Sequence, residues 1–182
     1  MAAPKSYIGV VKHFKAKSKE IRDYFEHVPS LVQSYPFDIG LSYMFARLEA
    51  AQHTVIYGGA VKIHRCSTTL ASAAVDNWRI TREDFLTKFK VVLGKDLPTN
   101  IQNLIKHAET VRDNILHGKN VNEPDKRQAI SDILDYSEEL NAIVRKEAGF
   151  APFGDLRGFK GAASALDDST SRWVLKGMGF PV

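Results

Sequence analysis

The sequence has a single cysteine, Cys66, in 182 residues. A lone thiol closes no disulfide within the chain, so stability has to come from a packed core. Cys66 itself is expected as a small buried hydrophobe. No stretch approaches the roughly 20 consecutive apolar residues that a membrane-spanning helix needs. No basic N-terminal start leads into an apolar run of the signal-peptide kind. A soluble, cytoplasmic protein in a reducing compartment is expected. No glycine-rich loop ends in Gly-Lys-Ser/Thr, which leaves out the common nucleotide-phosphate cradle. His13, His53, His64 and His107 lack the histidine partner four residues on, or the nearby acids, of a metal-ligand set. His64 and Cys66 are a loose pair, and Ser67, Thr68 and Thr69 have no nucleophile's surroundings. Neither a metal nor a cofactor is expected. Alternating strand patterns and internal repeats are missing as well.

Apolar residues at 44% and charged residues at 25% are ordinary globular values. The length suffices for one domain with a real core, or one domain and a tail. A net charge of +4 is mildly basic and compatible with a polyanionic partner.

Helical periodicity runs through most of the chain. Ile8, Val11, Phe14, Ile21, Phe25 and Val28 predict a first helix from about Lys5 to Val28, with Lys12, Lys15, Lys17 and Lys19 on its solvated face. Pro29 and Ser30 loosen the chain, and Tyr35-Pro36 ends any helix before it. A second helix is expected from about Phe37 to Cys66, its stripe formed by Leu41, Met44, Leu48, Ala51, Val55 and Ile56. Gly58-Gly59 inside it points to a kink or to the close approach of another helix. Ser67 to Asn77 suits helix or loop. Thr81-Arg82-Glu83-Asp84 is a capping pattern for a short helix that stops at Gly94. Pro98 opens the next helix, which carries Ile101, Leu104, Ala108, Val111 and Ile115 and stops at Gly118. A last helix starts at Asn122-Glu123-Pro124 and ends with Arg145-Lys146 before Gly149. After Phe150 periodicity is lost among glycines, yet Trp173, Val174, Leu175, Met178 and Phe180 are too apolar for a free tail. Trp78, Trp173 and the phenylalanines are expected in the core. The expected fold is all-α: a four-helix up-and-down bundle with a short extra helix over residues 1–149, then a glycine-rich tail, 150–182, docked on the bundle or on a partner subunit.

The chemistry concentrates in Arg112-Asp113-Asn114-Ile115-Leu116-His117-Gly118. Arg112 falls at the edge of the apolar face of its helix, and a guanidinium there demands a carboxylate or an anion. Asp113 and His117, four apart, can meet on the adjacent face. Histidine suits proton transfer near neutral pH, and arginine suits a phosphate or a pentavalent phosphorane. Together they could cut RNA without a metal, with the 2′-hydroxyl as internal nucleophile; DNA lacks that nucleophile. The bland alternative pairs Arg112 with a core-edge carboxylate such as Asp132 or Asp135 and leaves His117 as a cap.

Arg112-Asp113-Asn114-Ile115-Leu116-His117 resembles the Arg-polar-x3-His motif of the HEPN superfamily, small four-helix bundles that include metal-independent endoribonucleases of toxin–antitoxin, CRISPR and antiphage systems. The resemblance covers about Tyr35 to Gly149 in helix order and six residues in motif. It implies catalytic roles for Arg112 and His117 with Asp113 as the orienting polar residue, and products ending in 2′,3′-cyclic phosphate. Asn114 and Lys119 stand beside them as substrate-binding candidates. It further implies a homodimer with both motifs at one cleft, an RNA substrate such as tRNA, and an antitoxin or other regulatory protein as partner. Arg22-Asp23-Tyr24-Phe25-Glu26-His27 matches the same spacing. The later copy is preferred because Arg22 lies at the flank of its apolar face, within reach of water, and His27 points away from it. Two other readings stay open: a non-catalytic helical module that binds RNA, a nucleotide or a protein, and a purely structural interaction protein that docks through its tail.

Overall fold

The computed structural model describes residues 4–78, 81–154, 159, 161 and 164–182. Among them all regular structure is helical: α1 (Tyr7–Lys15), α2 (Lys19–Tyr24), α3 (Val28–Ser34), α4 (Phe37–Lys62), α5 (Thr68–Asp76), α6 (Arg82–Leu93), α7 (Thr99–Leu116), α8 (Glu123–Ala148) and α9 (Asp168–Gly177). The all-α expectation holds. No described helix is long and apolar enough to cross a membrane.

The helix expected from Lys5 to Val28 is in fact α1, α2 and the start of α3. Neither glycine nor proline makes the first break. Ser18 is extended, with ψ 156°, and caps α2. Its backbone N–H is donated to Glu138 Oε2 at 3.0 Å, and neighbouring Lys17 pairs with Asp135. Two carboxylates of α8, some 120 residues away in sequence, hold the chain out of helical conformation. Pro29 belongs to the first turn of α3, where its missing N–H costs nothing. Farther on, the Ser67–Asn77 stretch resolves as α5.

The expected caps are in place. Thr81 Oγ1 accepts the Asp84 N–H at 3.2 Å at the start of α6, and Gly94 ends that helix at φ +71°. Asn122 accepts the Asp125 N–H at 2.9 Å at the start of α8. The tail holds a helix that its sequence periodicity did not announce. Asp167 accepts the Thr170 N–H at 2.9 Å and starts α9.

The chain divides into two compact units: Met1–Leu48 with Pro98–Ala142, and Glu49–Leu97 with Ile143–Val182. α4 and α8 each contribute to both. In the first unit α1 packs on α3, over a core that includes Phe14, Ile21, Met44, Ile105, Ile133 and Leu134. In the second α5 packs on α9, and Ile56, Phe85, Phe89, Phe153, Leu175 and Phe180 are buried. Cys66 is buried too, and burial pushes its thiol up from the ordinary value.

The Gly58-Gly59 pair lies within α4 in the second unit. A Cβ on Gly58 would stand 2.3 Å from Phe150 Cζ, and one on Gly59 would stand 2.2 Å from Val92 Cγ1 of α6. Of the two roles expected for this pair, close approach is the one these distances describe.

Candidate functional site at the end of α7

α7 buries Ile101, Ile105, Ala108 and Val111. Arg112 follows Val111 at the rim of that face, its side chain 30% exposed. The guanidinium lies over the Phe45 ring of α4, 4.5 Å from its centroid. An aromatic face attracts a cation and confines a flat one. Nε and Nη2 both donate to Asp113 Oδ1, at 3.1 and 3.0 Å. Ring and carboxylate together fix the direction in which the group points.

Asp113 therefore serves Arg112, and the pairing expected between Asp113 and His117 is not formed. Asp132 and Asp135, the alternative carboxylates for Arg112, are engaged elsewhere. Asp132 receives His107 Nδ1 at 2.5 Å and Gln128 Nε2 at 2.6 Å. Asp135 receives His13 Nε2 at 2.8 Å together with the Lys17 ammonium.

His117 caps α7 and is exposed. Its imidazole has no side-chain partner among the described residues. Its backbone is closely specified. The His117 N–H is donated to the Asp113 carbonyl at 3.0 Å, the Gly118 N–H to Ile115 at 3.0 Å and the Lys119 N–H to Asn114 at 2.8 Å. The last two bonds form a Schellman turn, which Gly118 permits at φ +69° because it has no Cβ. That turn brings Asn114 and Lys119 together through the main chain. Asn114 is half-buried and Lys119 exposed. Leu116, between them, is 70% exposed.

The earlier copy of the spacing is built otherwise. Arg22 is in α2 and donates to the Lys15 carbonyl at 3.0 Å. His27 lies beyond the end of α2, before α3, beside Glu26 at 3.7 Å. No single helix carries both residues, whereas α7 carries Arg112 and sets His117 at its cap.

One cluster escaped sequence reading. Along α8, Gln128, Asp132, Asp135, Glu138 and Asn141 form a polar stripe, joined to His107 of α7, to His13 and Lys17 in and after α1, and to Ser18 and Glu20 in and before α2. The signal was available as acidic and amide residues at steps of three and four in α8. Their partners are 25 to 122 residues away, which no local pattern reveals. Burial pushes the Asp135 carboxyl up, but the hydrogen bonds from His13 and Lys17 outweigh that and leave it below its ordinary value.

Compared with known proteins, the chain matches no family model, no curated protein and no solved structure.

Proposed function

We propose that the chain is a metal-independent endoribonuclease of HEPN type, with Arg112, Asp113 and His117 as its catalytic group. The observation that carries this reading is the construction at the end of α7. A guanidinium is aimed by an aromatic ring and a carboxylate, and a Schellman turn fixes the backbone of exposed His117 at the following cap. In this reading His117 exchanges the proton of the 2′-hydroxyl or of the leaving 5′-oxygen. The 2′-oxygen attacks phosphorus, the P–O5′ bond breaks, and the products end in 2′,3′-cyclic phosphate and 5′-hydroxyl. Arg112 stabilises the charge of the pentavalent state. Asn114 and Lys119 contact the substrate beside the turn.

The same reading takes the helices as a four-helix up-and-down bundle and the protein as a cytoplasmic homodimer with the motif at its interface. Exposed Leu116, next to His117, supports that interface. The setting would be a toxin or defence effector acting on RNA, tRNA among its targets, under an antitoxin or another regulatory protein.

One observation favours a second reading, a helical module that binds RNA, a nucleotide or a protein without cleaving it. The His117 imidazole has no orienting partner among the described residues, whereas a general base is normally held by one.

RNA cleavage in EDTA separates the two readings. Wild type is expected to cut tRNA and a long mixed-sequence RNA to cyclic-phosphate ends and to spare DNA. Arg112→Ala and His117→Ala are expected to lose at least about 100-fold in rate, while His27→Ala stays at the wild-type rate. Binding without cleavage by folded wild type supports the module instead.

A further inference from the structure

The sequence predicts Trp173 in the core, and the structure puts it at the surface. α9 turns Leu175 inward and leaves Trp173 77% exposed, the most exposed large apolar side chain among the described residues. Trp173 lines a cleft of about 610 Å³ together with His64, Val91, Val174, Lys176 and Met178. All of these residues belong to the unit of Glu49–Leu97 and Ile143–Val182. The lining combines an indole, aliphatic side chains and two nitrogen-bearing groups, with no carboxylate among the described residues.

Size and charge narrow the occupant. Clefts of about 300–1,000 Å³ take small ligands. A stable protein interface needs about 800 Å² from each partner, and in this unit only Ile63 and Val91 join Trp173 as exposed large apolar side chains among the described residues. The lysines of α6 and of the turn after it are committed. Lys88 donates to the carbonyls of Met178 and Gly179, at 2.6 and 2.8 Å, Lys90 pairs with Asp96 at 3.0 Å, and Lys95 pairs with Glu147 at 2.7 Å. Lys176 has no carboxylate partner among the described residues. It stands three residues after Trp173, a spacing that puts neighbours on one helix face. His64 Nε2 meets the Val92 carbonyl at 2.8 Å. A carbonyl only accepts, so Nε2 carries the proton and Nδ1 is the ring nitrogen left for a ligand.

We propose that this cleft binds one nucleotide of single-stranded RNA, with the base stacked on Trp173 and its phosphate held by Lys176. A planar ring and an anion are what one nucleotide supplies to an indole and an ammonium three residues apart on α9. The site rests on reading the chain as a protein that acts on RNA, but it uses none of the residues of α7.

The test is anisotropy titration of a labelled eight-nucleotide 2′-O-methyl RNA, which no 2′-hydroxyl chemistry can cut, in EDTA with the full-length chain. Trp173→Ala is expected to weaken binding about tenfold or more, and Trp173→Phe, which keeps a stacking ring, by less. Lys176→Ala should weaken it severalfold and flatten the salt dependence by about one phosphate contact. Indole emission should be quenched as RNA binds. Lys12→Ala, on the solvated face of α1, should keep both the quenching and the Trp173-dependent affinity. Equal affinity in Trp173→Ala and wild type overturns the proposal. If that variant also loses self-association in sedimentation, the surface belongs to a second copy. Cleavage without Trp173-dependent binding sinks this site and leaves the α7 reading standing; Trp173-dependent binding without cleavage does the reverse.

Discussion

In the unit of Met1–Leu48 and Pro98–Ala142, the polar stripe of α8 meets its neighbours through charge. His13 and Lys17 converge on Asp135, His107 and Gln128 on Asp132, and Glu138 takes the N–H of Ser18. In the unit of Glu49–Leu97 and Ile143–Val182, α4 meets its neighbours sterically at two glycines. Gly58 receives the Phe150 ring, Gly59 receives Val92, and Phe150 meets Phe159 edge to face at 5.5 Å. Part-buried ion pairs depend on protonation and tolerate small changes of shape. Close-packed rings and missing methyl groups respond the other way round. One chain therefore carries two kinds of sensitivity, one to pH and one to volume.

The largest effect should come from filling the glycine contact. Gly58→Val would force its side chain into the space of Phe150. A loss of about 3 kcal/mol in urea denaturation is expected, the upper end for overpacking, and the loss should vary little with pH. A wild-type midpoint in that variant would show that the contact is looser than its distances imply.

Next comes charge. Asp135→Asn removes the anion that both His13 and Lys17 address, and about 2 kcal/mol should be lost near neutral pH. The sign of the pH dependence is fixed. Asp135 is held below its ordinary value in the folded chain. Its contribution is complete above the unfolded value of about 4 and vanishes as pH falls through the lower folded value. The gap between wild type and Asp135→Asn should therefore narrow as pH falls from about 5 through 4 and below. A gap that is constant over that range would mean that Asp135 contributes by shape alone.

The smallest effect compares glycines on one helix. A Cβ on Gly40 of α4, in the first unit, would meet Val32 Cγ1 at 3.5 Å and Ile130 Cδ1 at 3.8 Å, ordinary contact distances. Gly40→Ala should stabilise by about 0.5–1 kcal/mol through helix propensity, a rise of a few degrees in melting temperature. A fall instead would extend the tight packing of the second unit to the first.

Much of this was legible in the sequence wherever the cause was local. Thr81 and Gly94 bracket α6, Asn122 starts α8, and Gly118 ends α7, because capping is decided within a few residues. The break between α1 and α2 was hidden because Glu138 and Asp135 impose it from α8. α9 was hidden because ten residues are too few for periodicity to stand out, although the Asp167 cap was readable. At the site, Arg112 at the rim of its helix and His117 at a glycine stop follow from spacing. The choice of Asp113 over Asp132 and Asp135 as partner of Arg112 does not, since it depends on what His107, His13 and Lys17 have already claimed. Trp173 was misplaced because hydrophobicity alone cannot tell a core indole from one that lines a cleft.

The passage of α4 and α8 through both units has a consequence for heredity. The chain enters each unit twice, with changes at Leu48–Glu49, Leu97–Pro98 and Ala142–Ile143. Division at Leu97–Pro98 gives two pieces, each carrying one part of both units. Neither unit can be passed on, lost or exchanged by a single crossover in the gene. Whatever each unit does, selection sees the two as one inheritance.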